Sequence, residues 1–167
     1  AMAQVDSQAV QITLSPEDEQ FLFDIVRQSI EQGFEGGEPP VEKDLPEPES
    51  KVLKDFCGAF VTLEKHGQLR GCVGMMNPLY PLYLTVASMA WAAAFNARRF
   101  PPLTRAEWPE VEFDISVLGQ MTVCPDLKLI ELGRHGIMLK ARNLSAVFLP
   151  QVPVEQGWDL PTTMAQL

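Results

Sequence analysis

FCGAFVTLEKHGQLRGCVGMM, residues 56–76, is the stretch whose reading decides the fold class of this chain. Residues 56–65 are rich in apolar and β-prone types, residues 68–76 repeat that character, and only His66-Gly67 separates them. A two-residue loop ending in glycine between extended runs marks a tight hairpin, because such loops need positive φ. His66 is a less usual occupant of the first loop position than Asn or Asp. With Lys65 facing Gln68, counting back places Leu63 opposite Arg70, Thr62 opposite Gly71, Val61 opposite Cys72 and Phe60 opposite Val73. Strand alternation then projects Arg70 and Cys72 from one face and Leu69, Gly71 and Val73 from the other. Glycine within a strand packs nothing and weakens it, so Gly71 and Gly74 predict a close backbone approach or a bulge.

Working outward toward the N-terminus, residues 10–14 alternate apolar and polar, as a strand does. Ser15-Pro16-Glu17-Asp18 then reads as a helix start, with a serine cap, proline at the first helical position and acids in the first turn. Phe21, Leu22, Ile25, Val26 and Ile30 form one apolar stripe, and Gly33 is the expected stop. Residues 35–50 hold Gly36-Gly37, four prolines and mostly acids, which predicts a long solvated loop.

On the C-terminal side, Asn77-Pro78 and Pro81 mark a turn. Residues 82–97 are apolar nearly all round, which predicts a helix buried in the core. Thr104-x-x-Glu107 resembles a capping box over a short helical turn that Pro109 ends. Val111, Phe113, Ile115 and Val117 alternate with Glu112, Asp114 and Ser116, the cleanest strand pattern in the chain. Residues 136–141 and 145–149 read as two more strands around Arg142-Asn143-Leu144, and residues 161–167 as the first turns of a helix inside which the chain stops. Helices and strands are interleaved but hairpins dominate the pairing, so the expected class is α+β with mostly antiparallel sheet.

At 167 residues, with 46% apolar and 21% charged positions, the chain is sized for one domain, or one with a small lobe, and is long enough to bury a sizeable core. No run of 18 apolar residues occurs and no basic-then-apolar stretch opens it, so the expectation is a cytoplasmic protein that does not span a membrane. Residues 1–8 read as a tag remnant and disordered arm. The net charge of −9 is uneven: residues 1–50 hold 12 of the 22 acidic residues but only Arg27 and Lys43 of the 13 basic ones. The body is therefore close to neutral and shows no basic face of the kind that coats nucleic acid. Cys57, Cys72 and Cys124 are an odd set without C-x-x-C spacing, as in a reducing compartment. His66 and His135 are too few and too scattered for a zinc site, and the three-cysteine motif of radical SAM enzymes is absent.

The candidate site residues begin with the hairpin. Cys72 reads as a nucleophile or acid/base with a cation beside it, or as a small buried hydrophobe in a central strand, the commoner fate of a free cysteine. Arg70, flanked by apolar neighbours, requires a carboxylate or an anionic ligand, and the same holds for Arg99 after the buried helix. Asp114 is an available internal partner. His135 is the candidate base, or else a turn residue bonded to backbone.

With these residues in view, the chain resembles the AMMECR domain family, also called AmmeMemoRadiSam system protein A, in a bacterial or archaeal form. The resemblance is carried by Gly58-Ala59-Phe60-Val61-Thr62-Leu63, by Leu69-Arg70-Gly71-Cys72-Val73-Gly74, by Ala93-Ala94-Phe95 with Arg99-Phe100-Pro101-Pro102-Leu103, and by Leu149-Pro150-Gln151-Val152. The segments Asp114-Ile115-Ser116-Val117-Leu118, Gly133-x-His135-Gly136 and Trp158-Asp159 fit as well. Family members usually carry an Asp where this chain has Ala97, and they extend beyond its C-terminal helix.

The resemblance implies a two-lobed α+β fold with the motif of residues 69–74 in a groove, and association with a Memo-like protein and a radical SAM protein. It names no cofactor and no settled reaction. Two readings follow. In the first, the protein is a cytoplasmic enzyme or enzyme-system component acting on a small anionic metabolite or nucleotide, with Cys72 and His135 catalytic and Arg70, Gly71, Gly74, Arg99 and Asp114 in binding. In the second, it is a non-catalytic module that binds a ligand or a partner protein in the same groove. An exposed Cys72 within reach of a base favours the first; a buried Cys72 and an Arg70 held in a structural ion pair favour the second.

Overall fold

The computed structural model describes residues 2–5, 14–119, 122–124, 126–133, 136–142 and 144–167. These residues form seven strands and five α-helices in the order β1 (Met2–Val5), α1 (Pro16–Phe34), α2 (Lys51–Lys54), β2 (Ala59–Lys65), β3 (Gln68–Met75), α3 (Leu82–Phe95), β4 (Val111–Val117), β5 (Thr122–Val123), β6 (Ile137–Ala141), β7 (Leu144–Phe148), α4 (Gln151–Gln156) and α5 (Leu160–Gln166). The class is α+β with antiparallel sheets. The elements divide into two compact units, Ile12–Leu118 and Ala1–Gln11 with Gly119–Leu167.

In the first unit the sheet order is β3-β2-β4, with α3 packed on the sheet and on α1. Helix α1 begins as its sequence dictates: the Ser15 hydroxyl accepts from the Asp18 amide at 3.1 Å and the Asp18 carboxylate accepts from the Ser15 amide at 3.3 Å. Its buried stripe is Leu22, Ile25, Val26 and Ile30, with Phe21 half-buried. The helix runs one residue past the expected stop. Gly33 is a packing position, because a Cβ there would lie 2.1 Å from the Phe95 ring. Helix α3 buries Leu82, Tyr83, Thr85, Val86, Ala87, Ala90, Ala93 and Ala94, and its small residues let both neighbours come close.

The acidic loop is not free in solvent along its length. Pro40, Leu45 and Pro48 are buried, and the Tyr83 hydroxyl donates to Glu42 at 2.9 Å. Burial, followed by the Glu42 carboxylate, pushes the Tyr83 pKa up to about 12. The Trp91 indole donates to the Gly37 carbonyl at 3.3 Å.

The hairpin loop is His66-Gly67, with φ of 53° and 75°. Both values are positive, as a tight two-residue loop requires. Lys65 faces Gln68 and Glu64 faces Leu69 as counted, but the register then shifts: Leu63 pairs with Gly71, Thr62 with Cys72, Val61 with Val73 and Phe60 with Gly74. Arg70 is the extra residue of a β-bulge, and the expected pairing of Leu63 with Arg70 is overturned. The physical reason is close packing on α3. A Cβ at Gly71 would lie 2.3 Å from the Ala93 carbonyl oxygen, so the glycine must face the helix, and the bulge brings it opposite inward-facing Leu63.

The second unit has the sheet order β5-β1-β6-β7. Met2–Val5, expected as part of a disordered arm, pairs with both β5 and β6. Ile130 and Ile137 are buried at the centre of its core, with Cys124, Leu132, Leu160, Met164 and Leu167 packed around them. Helix α5 is capped by Asp159, whose carboxylate accepts from the Thr162 amide at 2.9 Å. Hydrogen bonding from the Thr162 side chain, and then from its amide, holds the Asp159 pKa below the usual carboxylate range. The strand expected over residues 10–14 falls mostly outside the described residues.

Candidate functional site

The signature residues lie along β3, and its place in the sheet decides what they can do. Among the described residues the strand pairs only with β2, which makes it an edge, and Cys72 is exposed. The expectation of a buried thiol in a central strand fails for this reason. The buried cysteine is Cys57, whose pKa is raised by burial and then by Asp55. The Cys72 thiol lies 3.4 Å from the Thr62 hydroxyl, its cross-strand neighbour. Asp114 pairs with Thr62 from the other side, so Cys72, Thr62 and Asp114 form one row across an exposed sheet face.

Arg70 turns to another task. Its Nε donates to Glu107 Oε1 at 3.0 Å and its Nη2 to Glu107 Oε2 at 3.1 Å, a two-pronged ion pair. Nη1 also donates to the Pro101 carbonyl at 3.0 Å and Nη2 to the Pro102 carbonyl at 3.4 Å. Glu107 in turn accepts from the Thr104 amide and hydroxyl, at 2.9 and 3.0 Å. The Arg70 hydrogen bond, with the Thr104 bonds behind it, lowers the Glu107 pKa to about 2. Arg70 is therefore a positioning residue that fastens the segment after α3 against the bulge. Asp114, the partner expected from sequence, plays no part in this pair. Glu107 was legible only as the end of the capping-box pattern, with nothing in the sequence to bring it to Arg70.

Fastening that segment creates a groove of about 370 Å³ between β3 and the turn that follows α3. Leu69, Cys72 and Val73 line it from the strand, and Asn96, Ala97, Arg98, Arg99 and Phe100 from the turn. Arg98 and Arg99 are exposed, and among the described residues neither makes an ion pair. The usual objection to an anion at a helix C-terminus is weakened here. The Ala92 carbonyl accepts from the Asn96 amide at 2.8 Å and the Ala94 carbonyl from the Leu103 amide at 2.7 Å. Among the described residues the wall contains no carboxylate, and Ala97 adds none.

Of the residues singled out by sequence, Cys72 and Arg99 share this groove. Arg70 serves it from behind. Gly71 is packed on α3, and a Cβ at Gly74 would lie 2.2 Å from the Phe60 ring, so both have packing roles. Asp114 stands two strands away from Cys72. His135 lies outside the described residues. Arg98 and Asn96 were not singled out; their exposure on a fixed turn is a tertiary property. No group of three or more His, Cys, Asp or Glu suited to a metal ion occurs among the described residues.

The family model described as AMMECR1 matches residues 23–167. A protein of Nanoarchaeum equitans is 37% identical over 145 residues, covering 83% of this chain and 78% of that protein. One from Methanopyrus kandleri is 37% identical over 160 residues, covering 87% and 73%. The crystal structure of an uncharacterized protein from Pyrococcus horikoshii has a TM-score of 0.71 to this chain at 35% identity, covering 84% of this chain and 72% of that one.

Proposed function

The chain belongs to the AMMECR1 family, and we propose that it is a cytoplasmic enzyme or enzyme-system component that holds a small anionic metabolite or nucleotide in the groove beside Cys72. The observation that carries this reading is the division of labour between the arginines. Arg70 is spent on Glu107 and two carbonyls, whereas Arg98 and Arg99 face the groove with no ion pair among the described residues. Two guanidiniums on one wall attract an anion, and an exposed thiol on the other is the side chain available to act on it.

A second reading, the non-catalytic module, is favoured by one specific observation. Among the described residues the groove wall holds no His, Asp or Glu to serve as a base, and the hydrogen-bonding neighbour of Cys72 is Thr62. Under either reading the Memo-like and radical SAM proteins associated with the family are the partners to test. No helix among the described residues is long and apolar enough to cross a membrane.

The test is an NMR titration with inorganic phosphate at low and high salt, on the wild type and Arg99→Ala. Expected are shifts at Cys72, Arg98 and Arg99 that weaken as salt rises and are largely lost in the variant. An absence of salt-dependent shifts in the groove overturns the anion reading.

A further inference from the structure

We propose that the ligand of this groove is a phosphate monoester carried on a flat or apolar body, with the phosphate held by Arg98 and Arg99. This rests on reading the groove as an anion site and adds the class of anion and the part of the ligand beyond it.

The charge at the site selects the anion. Arg98 and Arg99 occupy the two central positions of a turn closed by the Phe100 amide donating to the Ala97 carbonyl at 3.3 Å. The carbonyls of Pro101 and Pro102 next to it are bound by Arg70, so the turn is fixed to β3. Two neighbouring guanidiniums supply a charge of +2 and two planar forks of donors. A phosphate monoester, with about −1.5 to −2 charge at neutral pH and three terminal oxygens, matches both; a carboxylate answers only half of the charge. Other nitrogen-bearing side chains near this hairpin are committed elsewhere: Lys65 lies 3.5 Å from Glu107 and 3.6 Å from Glu110, and the His66 imidazole 3.3 Å from Glu110.

The rest of the groove speaks for a body beyond the phosphate. Leu69 is 50% exposed, and with Val73 and the half-buried Phe100 it gives the groove an apolar wall. The volume of about 370 Å³ falls in the range of roughly 300–1,000 Å³ typical of metabolite-sized ligands, more than an inorganic ion uses. Asn96 adds an exposed amide that both donates and accepts, which suits a hydroxyl or a heterocycle edge.

Calorimetric titration of the full chain at low salt tests this with inorganic phosphate, AMP, ribose 5-phosphate, adenosine and acetate. AMP is expected to bind at least about tenfold more tightly than phosphate, and adenosine and acetate only weakly. Arg98→Ala and Arg99→Ala should each weaken AMP by about tenfold, the effect of one lost charge-assisted contact. Leu69→Ser, at an exposed position, should bring AMP toward the affinity of phosphate and leave phosphate unchanged. Equal binding of AMP, ribose 5-phosphate and phosphate overturns the body. Ribose 5-phosphate matching AMP and exceeding phosphate overturns a flat or apolar body in favour of a sugar. Acetate binding as well as phosphate overturns the phosphate class while leaving the anion site in place. No binding by any anion overturns both this proposal and the function above.

Discussion

At the scale of single residues, two glycines of the hairpin serve different physical needs, and their substitutions separate them. Gly67 has φ of 75° and nothing within 4 Å of where a Cβ would sit, so Gly67→Ala carries only a backbone cost of about 1–2 kcal/mol. Gly71 has the reverse problem. A Cβ would press on the Ala93 carbonyl oxygen, and backbone cannot rotate away as a side chain can. Gly71→Ala should therefore cost about 2–3 kcal/mol, at the upper end of overpacking, and Gly71→Val more. Urea unfolding of the alanine variants should place Gly71→Ala below Gly67→Ala in midpoint; the opposite order refutes the close approach. Glu107 gives a pH signature. Its folded pKa of about 2 lies below the ordinary 4.5, so its contribution to stability is present above 4.5 and is lost as pH falls toward about 2. The stability gap between wild type and Glu107→Gln should narrow over that window. A gap that stays constant means the pair with Arg70 contributes nothing to folding.

At the scale of elements, the hairpin loop, the capped start of α1, the buried α3 and the alternating β4 were all legible, because each is written in local chemistry. What sequence could not supply was the order of strands. One reading of Cys72 makes it a core residue, because a free cysteine is most often a small buried hydrophobe in a central strand, yet β2 is the central strand and β3 the edge. The bulge at Arg70 was hidden for a related reason: it answers to the backbone of α3 and to Glu107, both distant in sequence. Edge placement has a measurable consequence. Cys72 should react with a disulfide reagent in the folded protein, whereas Cys57, buried with its pKa raised, should react only on unfolding. Mass spectrometry of the labelled peptides distinguishes them, and protection of Cys72 to the same degree as Cys57 would contradict its exposure.

At the scale of the whole molecule, the antiparallel α+β class was readable from hairpin spacing, whereas two lobes were implied by the family resemblance and their boundaries were not legible, because they depend on the N-terminal strand joining distant segments. Met2–Val5 carries no pattern strong enough to reveal that it pairs with β5 and β6. The two units also differ in the core that holds them. In the first, Leu22, Ile25, Ile30, Leu53, Leu63 and Leu82 are all at most 1% exposed, and α3 packs on both α1 and the sheet. In the second, the buried cluster among the described residues centres on Ile130 and Ile137, with partly exposed neighbours. Full burial of one such side chain contributes about 1.5–3 kcal/mol, so the buried side chains among the described residues hold the second unit against local opening less than those of the first. Strands β2 and β6 make a fair comparison, since each is hydrogen-bonded on both sides. Native-state hydrogen exchange should show the amides of β6 opening at least tenfold more readily than those of β2, a difference of about 1.4 kcal/mol. If β6 is as protected as β2, the second unit opens only when the whole chain unfolds, and the sparse cluster around Ile130 and Ile137 is not what limits its stability.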